Sequence, residues 1–442
     1  MQNIDQIINA RWVIPVEPDN MVLDHHSIAV RDGKIVNVLP TVEAEKKYQA
    51  TETITLDSHA LLPGFINAHT HAAMSLFRGL ADDLPLMQWL QKYIWPAEAK
   101  WVSDDFVADG TRLAMAEMLK SGTTCFNDMY FFGEDVAHIA REVRMRASVG
   151  MIMLDFPSSY AQSWDEYLDK GLRLHDDLRN SKLVSTTFAP HAPYSVADEP
   201  LKKIATLNNE LSRPVHIHLH ETAHEIEEAI KTTGKRPLDR LRELDLVNPN
   251  LLAVHFTQAT DKEITLLAEN GASVVHCPES NLKLGSGFCR VTRLLDAGVN
   301  VALGTDGAAS NNDLDLLGEM RSAALLAKGV SGDATALPAH TALRMATLNG
   351  ARALGLDAIT GSLKKGKYAD IIAIDLDSVS TQPVYDPISQ IVYAANRDQI
   401  TDVWIAGHPL LTGRKLATLD EKTIIDKAKQ WRDKIATANL EP

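Results

Sequence analysis

The sequence predicts an α/β protein: a TIM-type (β/α)8 barrel with a small β-sandwich domain formed by both chain termini. Three observations carry this reading. Eight short, β-rich apolar segments alternate with amphipathic helical stretches between residues 61 and 306, and eight parallel strands are the number that closes such a barrel. The segments on either side of this region instead alternate apolar and polar residues between turn signals. At 442 residues and 45% hydrophobic content, the chain is also longer than one ordinary domain needs.

The first sixty residues read as short strands, of which "HSIAVRDGKIVNVLP" is the clearest, with Asp32-Gly33 as its hairpin signal. The barrel strands follow as "LLPGFINAH", "GTTCFND", "ASVGMIML", "LVSTTFAP", "PVHIHLH", "LLAVHF", "ASVVHCP" and "NVALGTD". Helical segments such as "DDFVADGTRLAMAEMLKSG" and "DKEITLLAENG" lie between them and end in Gly, as a helix C-terminus should. After Ala353 the strand pattern returns in "GSLKKGKYADIIAIDLD" and "ITDVWIAGHPLL". The expected division is residues 1–61 and 363–442 for the composite β domain and 62–362 for the barrel. Between the first barrel strand and its helix, "LFRGLADDLPLMQWLQKYIWPAEAKW" is long and aromatic, as a lid at a barrel mouth would be.

Asp and Glu outnumber Lys and Arg by 58 to 44, a formal charge of -14, so no basic stripe offers itself to nucleic acid. The opening residues lack a basic flank followed by an apolar stretch, and no apolar run is long enough to span a bilayer. A cytoplasmic protein without a membrane partner is expected. Cys125, Cys277 and Cys289 are widely spaced and form no CxxC, which argues against a disulfide framework and against a thiolate metal site. A metal here would rely on His and carboxylates.

A single HxH pair carries little information, since 16 histidines in this length give about 0.6 such pairs by chance. The chain has three. Location adds more: His69, His71, His218, His255 and Asp306 all fall at or just past the C-terminal ends of predicted strands, the face on which barrel active sites are built. Three imidazoles and a carboxylate suit a borderline divalent ion and leave room for water. In "VHIHLHETAHE", His216, His218 and His220 alternate and so share one strand face. Composition alone does not choose the ligand among them, and His216 and His220 are read as buried packing residues.

The set "PGFINAHTH", "HLHET", "VHFTQ", "HCPESNLKLGSG" and "GTDGAASNNDLDL" resembles the amidohydrolase superfamily, and within it the deaminases acting on 5'-methylthioadenosine and S-adenosylhomocysteine. The resemblance spans nearly the whole chain. It implies that His69, His71, His218 and Asp306 hold one divalent metal ion, with Zn2+ expected and Fe2+ compatible with the same donors. It makes Glu221 the proton shuttle, and it moves His255 from candidate ligand to a catalytic histidine that stabilises the activated water or the developing oxyanion. Asp306 would also take the water's proton. Binuclear relatives carry a carbamylated Lys on strand four, and "LVSTTFAPHAP" has none, so a single metal is implied.

The implied reaction is attack of metal-activated water on C6 of an adenine nucleoside, releasing ammonia. By the same resemblance, Glu98 accepts from the ribose hydroxyls, and His191 and Ser310 contact substrate. Trp89, Tyr93 and Trp95 could wall an apolar pocket or bury a subunit contact. No Lys or Arg occurs between Arg146 and Lys170, where family members that grip a charged amino-acid tail would present arginine. 5'-Methylthioadenosine is therefore expected over S-adenosylhomocysteine and adenosine. Alternatives are a triazine hydrolase, a guanine or cytosine deaminase, or a metal-binding barrel without turnover. A homo-oligomer is expected from the aromatics and from the edge strands of the small domain.

Overall fold

The computed structural model describes residues 1–438. The remaining residues, 439–442, which the expected β domain also included, lie outside the described part. Two eight-stranded sheets organise the chain. One begins with β1 (Gln2–Val13), β2 (Leu23–Arg31), β3 (Lys34–Pro40) and the long β4 (Tyr48–Pro63). The barrel follows as β5 (Phe65–Thr70), β6 (Thr123–Asp128), β7 (Arg146–Met153), β8 (Val184–Pro190), β9 (Val215–Leu219), β10 (Leu251–His255), β11 (Ser273–His276) and β12 (Asn300–Leu303). The first sheet is then completed by β13 (Ile371–Asp375), β14 (Ile400–Ile405), β15 (His408–Thr412) and β16 (Lys415–Leu416).

The terminal strands run β16-β15-β14-β13-β4-β1-β2-β3, so the two chain ends meet where β13 pairs antiparallel with β4. Ile8, Ile28 and Ile35 from one half share a core with Ile371, Ala373 and Trp404 from the other. A backbone bond from Ile35 N–H to the Lys367 carbonyl (2.9 Å) closes the sheet against itself. Gly64 alone separates β4 from β5. A Cβ there would lie 2.1 Å from the Thr124 side chain, so the crossover needs a residue without one.

The barrel strands are parallel and consecutive. β12 and β5 share no ladder. Their seam is held instead by Asp306 N–H to the His69 carbonyl (3.0 Å) and by Asn67, whose side chain bonds Thr305 at both its Nδ2 (2.8 Å) and its Oδ1 (3.0 Å). Barrel and terminal sheet are joined by a buried ion pair in which Arg146 Nε meets Asp370 Oδ2 at 2.9 Å.

The region after residue 363 is not all strand. Pro387–Tyr393 and Glu421–Ala438 are helices. The second, placed in the β domain by sequence, packs instead on the barrel helix Asp104–Lys120: Trp431 stacks edge-on to Phe106 (5.2 Å) and donates to Asp109 (3.0 Å). Its apolar residues repeat at helical spacing, a signal masked by the strands before it. No helix among the described residues is long and apolar enough to cross a membrane.

Candidate metal and catalytic site

At the C-terminal ends of the barrel strands a cleft of about 800 Å³ opens. His69 ends β5 one residue before its last, His71 follows that strand, His218 lies in β9, and Asp306 comes three residues after β12. One ligand atom from each of these four residues lies within 4.8 Å of the others. His255, the last residue of β10, and Asp306 both hold left-handed backbone (φ 71° and 65°), a conformation retained where surrounding bonds over-determine it.

The donor chemistry fits a cation. His71 Nδ1 lies 2.6 Å from the Met129 carbonyl, and His218 Nδ1 lies 2.7 Å from the His191 carbonyl. A carbonyl only accepts, so both Nδ1 atoms carry the proton and both Nε2 atoms present lone pairs. Those two Nε2 atoms face each other at 3.3 Å, and Asp306 Oδ1 lies 3.1 Å from His71 Nε2 and 3.2 Å from His69 Nε2. Acceptors crowded in this way repel unless a positive charge stands among them. Among the described residues this is a single group of its kind.

Around these residues the turns are tied down. Asp306 Oδ2 accepts from Ser280 (2.6 Å) and Ser310 (2.8 Å), and its Oδ1 accepts from Gly307 N–H (2.8 Å). Ser310, expected as a substrate contact, lines the cleft but spends its hydroxyl on Asp306; the sequence separation of four residues gave no hint of that side-chain bond. Glu221 is buried in the turn after β9. Glu225 holds that turn by accepting both His220 N–H (3.1 Å) and Glu221 N–H (2.7 Å). Burial pushes the Glu221 carboxyl above its usual range, which favours its protonated form. His255 Nε2 lies 3.9 Å from Glu221 Oε2, and its Nδ1 lies 2.8 Å from Asn281 Oδ1, which fixes the ring.

Glu98 and His191 also line the cleft. Glu98 is no exposed helix charge: Tyr130 Oη donates to it at 2.9 Å, and burial pushes its carboxyl up to about 7. His191 is kept neutral, its imidazole lowered to about 3 by burial beside His71 and His69, and its Nδ1 lies 2.8 Å from Ser195 Oγ. The aromatic insertion forms one wall with Leu86, Trp89, Leu90 and Trp95, while Tyr93 turns to solvent. Ile152, Leu154 and Phe156 from the end of β7 form another, and no Lys or Arg lines the cleft. Arg146 sits at the far end of β7 with Asp370, and Lys170 pairs with Glu166 (3.0 Å).

Of the two histidines read as packing residues, His220 accepts Leu238 N–H (3.1 Å) and stacks on Phe256. His216 is buried too, but its partner is His69. Sequence reasoning did not single out Tyr130, Ser280, Asn281 or Glu225. Ser280 and Asn281 sit inside the quoted "HCPESNLKLGSG", whereas nothing local marks Tyr130.

The chain is similar over 98% of its length, at 52% identity, to a 5-methylthioadenosine/S-adenosylhomocysteine deaminase of Saccharophagus degradans, of which it covers 97%. It is 40% identical to a 5'-deoxyadenosine deaminase of Methanococcoides burtonii, with 96% of each chain covered. A crystal structure of an adenosine deaminase from Xanthomonas campestris with bound zinc superposes with a TM-score of 0.98, at 52% identity and 99% coverage of both chains. The model of the amidohydrolase family matches residues 60–410. With the barrel, its converging histidines and these full-length likenesses in agreement, the chain belongs to the amidohydrolase family.

Proposed function

We propose that this protein is a metal-dependent aminohydrolase that deaminates adenine nucleosides at C6, with 5'-methylthioadenosine preferred. The observation that carries the reading is the convergence of three imidazole lone pairs and Asp306 beside the buried acid Glu221, in a cleft that also holds Glu98. His69, His71, His218 and Asp306 would hold a single zinc ion, which would supply Lewis acidity and lower the pKa of water towards about 7. The zinc-containing relative and the absence of lysine from β8 support that choice of ion and count.

The chain's own groups do the rest. Asp306 accepts a proton from the attacking water. Glu221 donates one to ring nitrogen N1 as C6 becomes tetrahedral. His255, its Nδ1–H locked by Asn281 Oδ1, donates Nε2–H to the oxygen that gains charge when the ring is the imidazolium. Asp306 passes the proton it took from water to the amine, the C6–N bond breaks and ammonia leaves, the C6 hydroxyl proton returns to Glu221, and the product is a hypoxanthine nucleoside.

Glu98 accepts from the ribose hydroxyls, an anchor that triazines and free bases do not need. The uncharged walls at Ile152, Leu154, Phe156 and Trp95 suit a methylthio group. A charged amino-acid tail would find no cation there, and each unmet buried polar group costs about 1–3 kcal/mol, roughly 5–150-fold in kcat/KM. A barrel that held metal without turnover would have no use for an acid positioned as Glu221 is.

The test is turnover of 5'-methylthioadenosine, S-adenosylhomocysteine, 5'-deoxyadenosine and adenosine by the metal-analysed protein, followed by ammonia release and the adenine-to-hypoxanthine absorbance change. Methylthioadenosine reacting fastest supports the whole reading. Faster reaction of S-adenosylhomocysteine overturns only the apolar-tail argument, and no turnover of any of the four overturns the activity.

A further inference from the structure

In a chain of formal charge -14, two cavities are lined by cations and by no carboxylate; in one, Arg290 and Arg293 both pair with Asp261 (2.7 and 3.5 Å), whereas the other holds cations without such partners. It lies where β7, β8 and β9 begin, the end of the barrel opposite the catalytic cleft, and measures about 590 Å³. Arg146 reaches it but is neutralised by Asp370. Arg179 meets Asp176 only at 3.4 Å, with both side chains well exposed. Lys182 and Arg213 have no ion-pair partner among the described residues.

Arg213 gives the sharper signal, because its Nε is buried without a hydrogen-bond partner. Unmet donors of a guanidinium are costly to bury, and such groups are normally satisfied by protein, water or ligand. The positive potential is felt nearby: His175, whose Nδ1 lies 2.7 Å from Thr186 Oγ1, is held below its usual range by burial and by Arg213. Ser181 adds a hydroxyl to the wall, the Ser185 hydroxyl being donated to Ser148 Oγ (3.3 Å), and across the cavity Leu356 and Ile359 are apolar. A guanidinium fork, an ammonium and the Ser181 hydroxyl together form a donor set for a tetrahedral oxyanion, and the apolar side suits a small organic body.

We propose that this cavity binds the phosphate group of a small phosphate ester, with Arg213 and Lys182 as its charge partners. The site is separate from the deamination cleft and does not depend on which nucleoside that cleft accepts.

Calorimetric titration of the full-length, metal-loaded protein with ribose 5-phosphate and with inorganic phosphate, at constant ionic strength in potassium chloride, tests this. Saturable binding is expected, weakened about tenfold or more in Arg213→Met/Lys182→Met, with metal content and nucleoside turnover unchanged. Tighter binding of the ester supports use of the apolar wall. Equal binding of the two supports the oxyanion site with the free anion as its source. Lys182 is exposed, so Lys182→Glu keeps the fold and by itself must also weaken binding. Failure of both ligands to bind at about 10 mM, or binding unchanged by these variants, overturns the proposal.

Discussion

His216 Nε2 lies 2.7 Å from His69 Nδ1, and both rings are fully buried. For His69 Nε2 to face Asp306 and the other imidazoles with a lone pair, its proton must sit on Nδ1 and be donated to His216. The remaining proton of His216 is then on Nδ1, which has no partner. His216 thus sets the tautomer and the tilt of His69. In His216→Phe the metal should be held about 10–100-fold more weakly, read by competition with a chelator, while the far-ultraviolet circular dichroism is retained. Unchanged metal affinity would remove His216 from this role.

Replacement of Glu221 by Gln keeps the size of the side chain and its place in the turn, because Glu225 holds the Glu221 backbone. It removes the transferable proton. A loss of about 10²–10⁴ in kcat is expected, with metal content unchanged. Full activity in this variant would rule out Glu221 as the proton donor, whatever the substrate.

Glu98 supplies a pH dependence with a definite sign. Its carboxyl is raised to about 7, so it is ionised above that pH, the form that would accept ribose hydroxyls in the proposed reaction, and protonated below it. Nucleoside kcat/KM should therefore fall as pH drops through about 7, mainly through KM. Glu98→Gln should lower kcat/KM by roughly 10–100-fold and abolish this limb of the profile. Tyr130→Phe removes the hydrogen bond that favours the ionised form, and should move the limb to higher pH. A limb that survives in Glu98→Gln would have to be assigned elsewhere.

The Arg146–Asp370 pair tests how the two sheets depend on each other. Arg146 Nε and Nη2 bond Asp370 at 2.9 and 3.2 Å, and Asp370 also accepts Ala406 N–H at 2.7 Å. Arg146→Met leaves a carboxylate buried without its cation and should destabilise the protein by about 3–5 kcal/mol, measured by denaturant unfolding. Arg146→Met/Asp370→Asn should recover part of that loss. A single variant as stable as the parent would show that the pair does not join the sheets.

The eight barrel strands could be read from sequence because each is a short apolar run whose signal lies within its own few residues. The same local alternation marks the terminal strands, and "PGFINAHTH" and "GTDGAASNN" mark the histidines and aspartate that converge at the barrel mouth. The final helix escaped because strands on its N-terminal side suggested a continuing β pattern. Other relations join residues far apart in sequence and have no periodicity to betray them: Tyr130 to Glu98, Ser280 to Asp306, Arg146 to Asp370. Ser310 shows the distinction at close range. Its position near the aspartate was plain from sequence, but where its single proton goes was decided by the left-handed turn at Asp306, which brings the Ser310 hydroxyl within 2.8 Å of Asp306 Oδ2. Sequence by itself determined which residue types stand at the strand ends, because that is set by local pattern and chain order. Only the tertiary structure decided which lone pairs meet and which protons orient them, because hydrogen-bond geometry depends on distances that barrel closure creates.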